Sequence, residues 1–501
     1  MIKHKEIKIT LHPIGLEISV RSGTPLIDVL HEYGVEFPCG GKGKCGSCRI
    51  KILAGHIPLT EKHKSQLSKL GLTGNKRLAC MSAPASDVVI EIPQFESVIL
   101  ADNSPFEFIP LAGQGIAIDL GTTTLVAQLL DLSSGQVLNV VTARNPQGKY
   151  GADIMSRIEY ALHSDHAEIL KRLIRDKILE MIRKLIRGSS MNIKKIILVG
   201  NTSMQHLFCG FNVKPLSFYP FESPNLGIKT FNPKELGWAL DQNTEIIFMS
   251  SIGSFVGSDI LAGIFATKLH LSDSFKVLID LGTNGEIVAG NRKRIICAST
   301  AAGPAFEGAR ITMGMTASTG AISSIISHGK KFRCHTIGNI NASGVCGSGM
   351  IDAMALFLER GLINDYGDIL SGETKIFLEK EVFINQQDIR EIQLAKAAIA
   401  AGLKILYKQL GISRDIIDEL YIAGGFGNYI NLSNALKIGL LNLPEEKIRK
   451  MGNTALIGAK IFLFNRYDKI EEVLKITRHI SLESDTEFQE LFIQNMLFRS
   501  G

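Results

Sequence analysis

The sequence has no run of about 18 uncharged apolar residues, the length a membrane-spanning helix needs. Its first stretch, MIKHKEIKIT, passes into alternating strand-like positions without the apolar core of a signal peptide. A cytoplasmic protein without a membrane partner is expected. An excess of one charge is missing too: 55 Lys+Arg against 49 Asp+Glu leave +6 over 501 residues, with no dense basic tract. That argues against nucleic acid as a partner. No G-x-x-x-x-G-K-[ST] loop occurs, which excludes a P-loop NTPase. What remains is ordinary for globular domains, 45% hydrophobic and 21% charged, and long enough for two or more of them.

Cysteine is sparse and unevenly placed. Of eight, four fall in the first 80 residues, while Cys209, Cys297, Cys334 and Cys346 are scattered. The stretch CGGKGKCGSC carries Cys39, Cys45 and Cys48 as C-x5-C-x2-C, and RLAC adds Cys80. Its Gly41, Gly43 and Gly46 spell G-x-G-x-x-G, yet a dinucleotide fingerprint needs a strand before it and a helix after it. HEYGVEFP offers no such strand. A zinc site more often takes two close cysteine or histidine pairs, and only Cys45 with Cys48 forms one. A [2Fe–2S] cluster suits three ligands in one glycine-rich loop and a fourth from afar, because the glycines let backbone N–H groups approach its sulfides. Around the loop, EIKITLHPIGLEISV reads as a hairpin, TPLIDVLHEYG as a helix, and RIKILAG and the stretch after Cys80 as strands.

QFESVILADNSPFEFIPLAGQ reads as a linker, placed at 94–113. Beyond it, GIAIDLGTTTLVAQLLDL and VLIDLGTNGEIVAGN repeat one device, a buried strand ending in Asp-Leu-Gly-Thr and turning into a second strand. Such turns can face a phosphate chain with N–H and hydroxyl groups while the Asp holds the water shell of Mg²⁺. ELYIAGGFGNYIN feeds a strand into Gly424, Gly425, Phe426 and Gly427, suited to close approach of a flat ligand. KKIILVGNTSMQHLFCG supplies another strand and a helix capped at Asn201–Ser203. The two long periodic stretches beginning HAEILKRL and DIREIQLAK read as packing helices, with Lys396 near the nucleotide as an alternative for the second.

The cysteine loop resembles a ferredoxin of the adrenodoxin-like branch. The repeated hairpins resemble the ATPase superfamily of actin, sugar kinases and heat-shock chaperones. NPQGKYGADIMSRIEYA, GNTSMQHLFCG, YPFESP, VGSDILAGI, STAAGPAFEGARI, GVCGSGMIDAMA and DIREIQLAKAAI together resemble the reductive activators of corrinoid proteins. The fold implied is a β-grasp ferredoxin domain (1–93), a linker (94–113) and an α/β ATPase of two ribonuclease-H-like lobes, 114–270 and 271–501. The chain is expected to lack that family's middle domain.

The activity implied is return of one electron to inert Co(II), restoring Co(I) for methyl transfer at the expense of ATP. The partners implied are a corrinoid protein of a methyltransferase system and a low-potential electron donor, with a homodimer as a possible assembly. By the resemblance Cys39, Cys45, Cys48 and Cys80 bind the [2Fe–2S] cluster. Asp119 with Gly121, Thr122, Thr123 and Thr124, and Asp280 with Gly282, Thr283 and Asn284, hold Mg²⁺ and ATP; Gly424, Gly425, Phe426 and Gly427 back the adenosine. Glu307 and Asp259 are candidates for positioning water, a plain capping role standing beside each; His206 and Cys346 read as core residues. Rival readings are an activator of acyl-CoA dehydratases, a chaperone-like cobalamin reactivase and a small-molecule kinase.

Overall fold

The computed structural model describes residues 5–12, 16–30, 33, 35, 37, 41–44, 46, 48–92, 106, 108–163, 165–187, 193–282, 284–329, 331–427, 429–464 and 467–498. Cys39, Cys45, Thr283 and most of the expected linker lie outside these residues, as does the side chain of Phe426.

The N-terminal part folds around a five-stranded sheet, ordered Leu16–Arg21, Glu6–His12, Val88–Glu91, Arg49–Gly55, Lys76–Leu78. Alternation in EIKITLH sends Ile7, Ile9 and Leu11 inward, as period-two side chains on a half-buried strand must go. The expected hairpin is present, with Glu6 opposite Arg21 and Leu11 opposite Leu16. Helix Glu61–Lys69 starts where the Thr60 hydroxyl accepts from the His63 N–H at 3.2 Å, a side-chain cap for an orphan donor.

Two six-stranded sheets follow, and both are laid out alike. In the first, Gln114–Leu120 pairs antiparallel with Thr124–Asp131 and parallel with Ile193–Val199. In the second, Phe275–Leu281 pairs antiparallel with Gly285–Asn291 and parallel with Ile417–Ala423. The repeated sequence device is thus a repeated hairpin, each with a parallel strand beside it. All four leading strands present their carboxyl ends to one cleft, where open α/β sheets bind ligands.

Helices Ser258–Ala266 and Thr454–Phe464 cross between the sheets at backbone contact: a Cβ on Gly458 would lie 2.2 Å from the Ala262 carbonyl oxygen. Around that crossing one apolar cluster joins Ile197 and Val199 of the first sheet to Leu278 and Val288 of the second. The cleft floor is therefore rigid core. Helix His166–Leu185 buries Leu170, Ile174, Ile178 and Ile182 on one face, the packing role its periodicity implies. Helix Gln386–Leu410 opens with a reciprocal cap between Asn385 and Asp388 and closes at Gly411. Its Lys396 does not reach the cleft between the sheets, where a nucleotide is expected. The side chain is fully buried and its ammonium donates to the Leu497 carbonyl at 2.6 Å.

Candidate functional site

The cysteine loop lies beside the helical turn Ala79–Met81. Cys48, on the strand side of the loop, and Cys80, on that turn, bring their Sγ atoms to 3.3 Å. Gly41 and Gly43 sit at φ +77° and +71°, and a Cβ on Gly43 would meet the Met81 Sδ at 2.5 Å. The left-handed backbone at both positions favours glycine, and Gly43 lets the loop lie close against the turn that carries Cys80. Two thiols converging under a glycine-rich loop fit the ligation of an iron–sulfur cluster.

Both Asp-Leu-Gly-Thr turns line one cavity of about 610 Å³, a size that suits a cofactor or nucleotide. Around it stand Asp119, Gly121, Thr122, Thr123 and Thr124, then Asp280, Gly282 and Asn284, then Gly424 and Gly425. The first turn is held by residues the motif reading did not assign. Asn145 donates to the Gly121 carbonyl at 2.9 Å, and Arg157 donates to the carbonyls of Thr122 at 2.6 Å and Gly151 at 2.7 Å. Asn201 donates to the Thr122 hydroxyl at 2.9 Å while capping its own helix through the Met204 N–H at 3.0 Å. With its carbonyls so occupied, the turn has fewer acceptors free to repel a phosphate. Arg157 is 1% exposed, and burial pulls its guanidinium down to about 9, with Asp153 opposing. A buried cation is costly unless an anion compensates it, and Arg157 lines the cavity, where a polyphosphate would do so.

Carboxylates crowd the other side. Asp280 stands directly across from Glu286 on the neighbouring strand, where the first hairpin pairs Asp119 with Val126. Like charges in that register destabilise a sheet, so Glu286 is a residue with a task that the repeat alone did not reveal. Asp259, first-turn residue of helix Ser258–Ala266, lines the same cavity. Burial raises all four: Asp119 to about 6 against a 2.8 Å hydrogen bond from Asn453, Asp280 to about 7 with help from Asp119, Asp259 to about 8, and Glu286 well above its usual range. Among the described residues no three carboxylates converge tightly enough to hold a bare ion by themselves, so this lining suits the hydrated Mg²⁺ that a nucleotide would bring with it.

Gly424 ties the third motif to the second: at φ +87°, its Cβ would fall 2.5 Å from the Leu281 carbonyl and 2.7 Å from Asp280 Oδ1. Tyr429, just beyond, also lines the cavity. Gly427 packs beneath, a Cβ there lying 2.7 Å from Ile422. Glu307 lines the cavity beside Arg310, whose backbone takes a left-handed φ of +64°. His206 is the core histidine expected, with its ring nitrogens at 2.8 Å from the Thr202 carbonyl and 2.5 Å from Ser223 Oγ. Cys346 is buried, as expected, but borders the cavity.

The N-terminal domain sits at the mouth of this cavity. Phe37, two residues before Cys39, is among its lining side chains. Asp28 pairs with Lys149 at 3.1 Å and Lys42 with Glu159 at 3.7 Å, while Arg49 donates to the Thr312 carbonyl at 3.2 Å. The contacts reach both flanks of the cleft.

Three family models cover the chain: a 2Fe-2S iron–sulfur cluster binding domain over residues 9–85, the RACo middle region over 114–272, and the C-terminal domain of RACo, the ASKHA domain, over 274–500. The stretch matched as the middle region is the one expected as the first ATPase lobe, and it builds the first six-stranded sheet. The corrinoid activation enzyme RamQ of Eubacterium limosum is 34% identical over 96% of this chain and 97% of its own length. A [Co(II) methylated amine-specific corrinoid protein] reductase of Methanosarcina barkeri is 28% identical, over 74% of this chain and 73% of its own. The solved structure of a reductive activator for corrinoid, iron–sulfur protein superposes with a TM-score of 0.70, at 28% identity and 98% coverage of both chains. With a converging thiol pair in one domain and a carboxylate-lined nucleotide cleft beside it, the chain belongs to the family of reductive activators of corrinoid proteins.

Proposed function

We propose that this protein couples binding and hydrolysis of Mg-ATP to delivery of one electron to the Co(II) centre of a corrinoid protein, returning it to Co(I) for methyl transfer. The observation that carries the reading is the placement of the cysteine loop's domain against both flanks of a carboxylate-lined nucleotide cleft. A cluster held by Cys39, Cys45, Cys48 and Cys80 supplies one-electron transfer when bound, and Mg²⁺ neutralises phosphate charge. The chain's own residues do the rest. Asp119, Asp280 and Glu286 hold the cation's ligand shell. Asn145, Arg157 and Asn201 fix the Gly121–Thr124 turn for the phosphates. Asn284 faces them from the second hairpin, where the motif assigns Thr283 the same role, and Gly424, Gly425, Phe426 and Gly427 back the adenosine. ATP carries no electron, so its contribution is to favour a conformation of the complex from which reduction is downhill. The electron enters from a low-potential donor. Reliance on ATP and on a reduced iron–sulfur cluster supports a cytoplasmic setting, and the chain is read as two separable units joined near residues 94–113.

The test separates the two halves. Cys80→Ser should remove most of the visible cluster absorbance and all Co(II) reduction while Mg-ATP still binds. Asp280→Asn should leave the cluster spectrum intact and abolish ATP-dependent reduction. Stoichiometric zinc without iron in anaerobically prepared protein would contradict the assignment.

A further inference from the structure

A second cavity, of about 310 Å³, lies in the C-terminal part of the chain and shares no lining residue with the nucleotide cleft. It is walled by the last turns of helix Gln386–Leu410, the lead-in to strand Ile417–Ala423, residues 439–442 and Asn495. That strand carries Gly424 and the cleft at its carboxyl end, so the cavity sits at the opposite end of the sheet.

Its polar lining is unfinished. The Tyr407 hydroxyl and the Asn442 Oδ1 are buried and have no hydrogen-bond partner among the described residues, a costly state for a donor and an acceptor. Tyr407 itself is 6% exposed. Three cations share the wall. Lys408 is paired with Glu487. Among the described residues Arg414 has an ion pair with its neighbour Asp415 alone, at 3.9 Å. Lys404 has no carboxylate within ion-pair distance among the described residues. Burial and then the Arg414 charge both lower the Lys404 ammonium, as expected where cations face one another uncompensated. The remaining wall is apolar: Ala400, Leu403, Ile412, Leu440 and Leu441.

We propose that this cavity is a binding site for a small organic carboxylate that carries an apolar body and one hydrogen-bond donor. The carboxylate takes Lys404, Arg414 and the Tyr407 hydroxyl; the donor serves Asn442 Oδ1; the apolar body fills the space between. A compact phosphate dianion matches the apolar walls poorly and leaves Asn442 unsatisfied.

The experiment is calorimetric titration of the full, cluster-loaded chain with 4-hydroxybenzoate, benzoate and inorganic phosphate, with the nucleotide cleft saturated by Mg-ATP. Expected is one site per chain for 4-hydroxybenzoate, weaker binding of benzoate, and weakening by about tenfold or more in Tyr407→Phe and in Lys404→Met, the loss expected for a charge-assisted hydrogen bond. Tyr407→Phe removes one partnerless oxygen, so its thermal midpoint should not fall and its basal ATP hydrolysis should match the parent. No saturable binding of 4-hydroxybenzoate overturns the proposal, as does phosphate binding more tightly, or affinity unchanged by both substitutions. None of these outcomes bears on corrinoid reduction, which depends on the other cavity.

Discussion

Asp280 and Glu286 face each other across adjacent strands, and both hold their protons far more tightly than a free carboxyl does. If they serve the Mg²⁺ of Mg-ATP, Glu286→Gln should lower ATP turnover by about two orders of magnitude, the scale of losing one preorganised electrostatic group, and raise the Mg²⁺ concentration needed for half-maximal rate. The cluster spectrum should stay unchanged. Turnover and Mg²⁺ dependence equal to the parent's would remove Glu286 from the site. Asn201 is a second residue whose loss has two readouts: Asn201→Ala deletes a helix cap, costing about 1 kcal/mol, and frees the Thr122 hydroxyl, so KM for ATP should rise as well as stability fall. A fall in stability alone would make it only a cap.

At this scale the motifs were legible and their supports were not. Asp119 and Asp280 announce themselves by repetition. Asn145, Arg157 and Asn453 each act through a single hydrogen bond or two to a turn far away in sequence, and nothing local in composition marks such a partner. Glu286 did leave a signal, an acidic residue at an inward-facing strand position, but the hairpin's register was needed to set it opposite Asp280.

Among the elements, the paired hairpins and the ferredoxin strands follow from period-two alternation and turn residues, and these were readable. Helix Gln386–Leu410 was readable as a packing helix, but its Lys396 was open to misplacement because a buried lysine's partner is set by tertiary contact. The end of the chain is that partner: Gln393 donates to the Met496 carbonyl, Lys396 to that of Leu497, and the buried Phe498 ring lies 5.8 Å from the ammonium. Burial, with a smaller contribution from Lys404, lowers Lys396 from 10.5 to about 7. The unfolded chain therefore holds a proton that the native chain releases between about pH 7 and 10.5, and stability contributed by this group rises with pH across that window. The urea midpoint of the parent should gain on that of Lys396→Met from pH 7 to 9.5. Midpoints that move in parallel would mean the ammonium stays charged in the fold.

For the whole molecule, the ion pairs that dock the ferredoxin domain are open to solvent on at least one side: Lys42 and Glu159 are 59% and 66% accessible, Lys149 and Asp28 21% and 47%. Each such pair contributes only about 0–1 kcal/mol, so the docked arrangement is one the chain can leave, as a domain that carries electrons to another protein must. A fragment beginning near residue 112 should accordingly fold and bind Mg-ATP while passing no electrons. A folded fragment with no nucleotide affinity would show that the hairpins alone do not make the site.

Joining a redox domain to a nucleotide cleft in one chain has a thermodynamic consequence. If Mg-ATP and the corrinoid protein favour the same conformation of the activator, each raises the other's affinity by the same factor. Hydrolysis should then be slow in isolation and faster with the partner present. The measurement that tests this most directly mixes reduced, cluster-loaded protein with a Co(II) corrinoid protein from the same organism and follows Co(I) by its absorbance, with and without Mg-ATP, while recording phosphate release. The account predicts Co(I) only with Mg-ATP, and ATP hydrolysis accelerated by the Co(II) protein. Co(I) forming equally fast without ATP, or cobalamin released with no Co(I) formed, would contradict it.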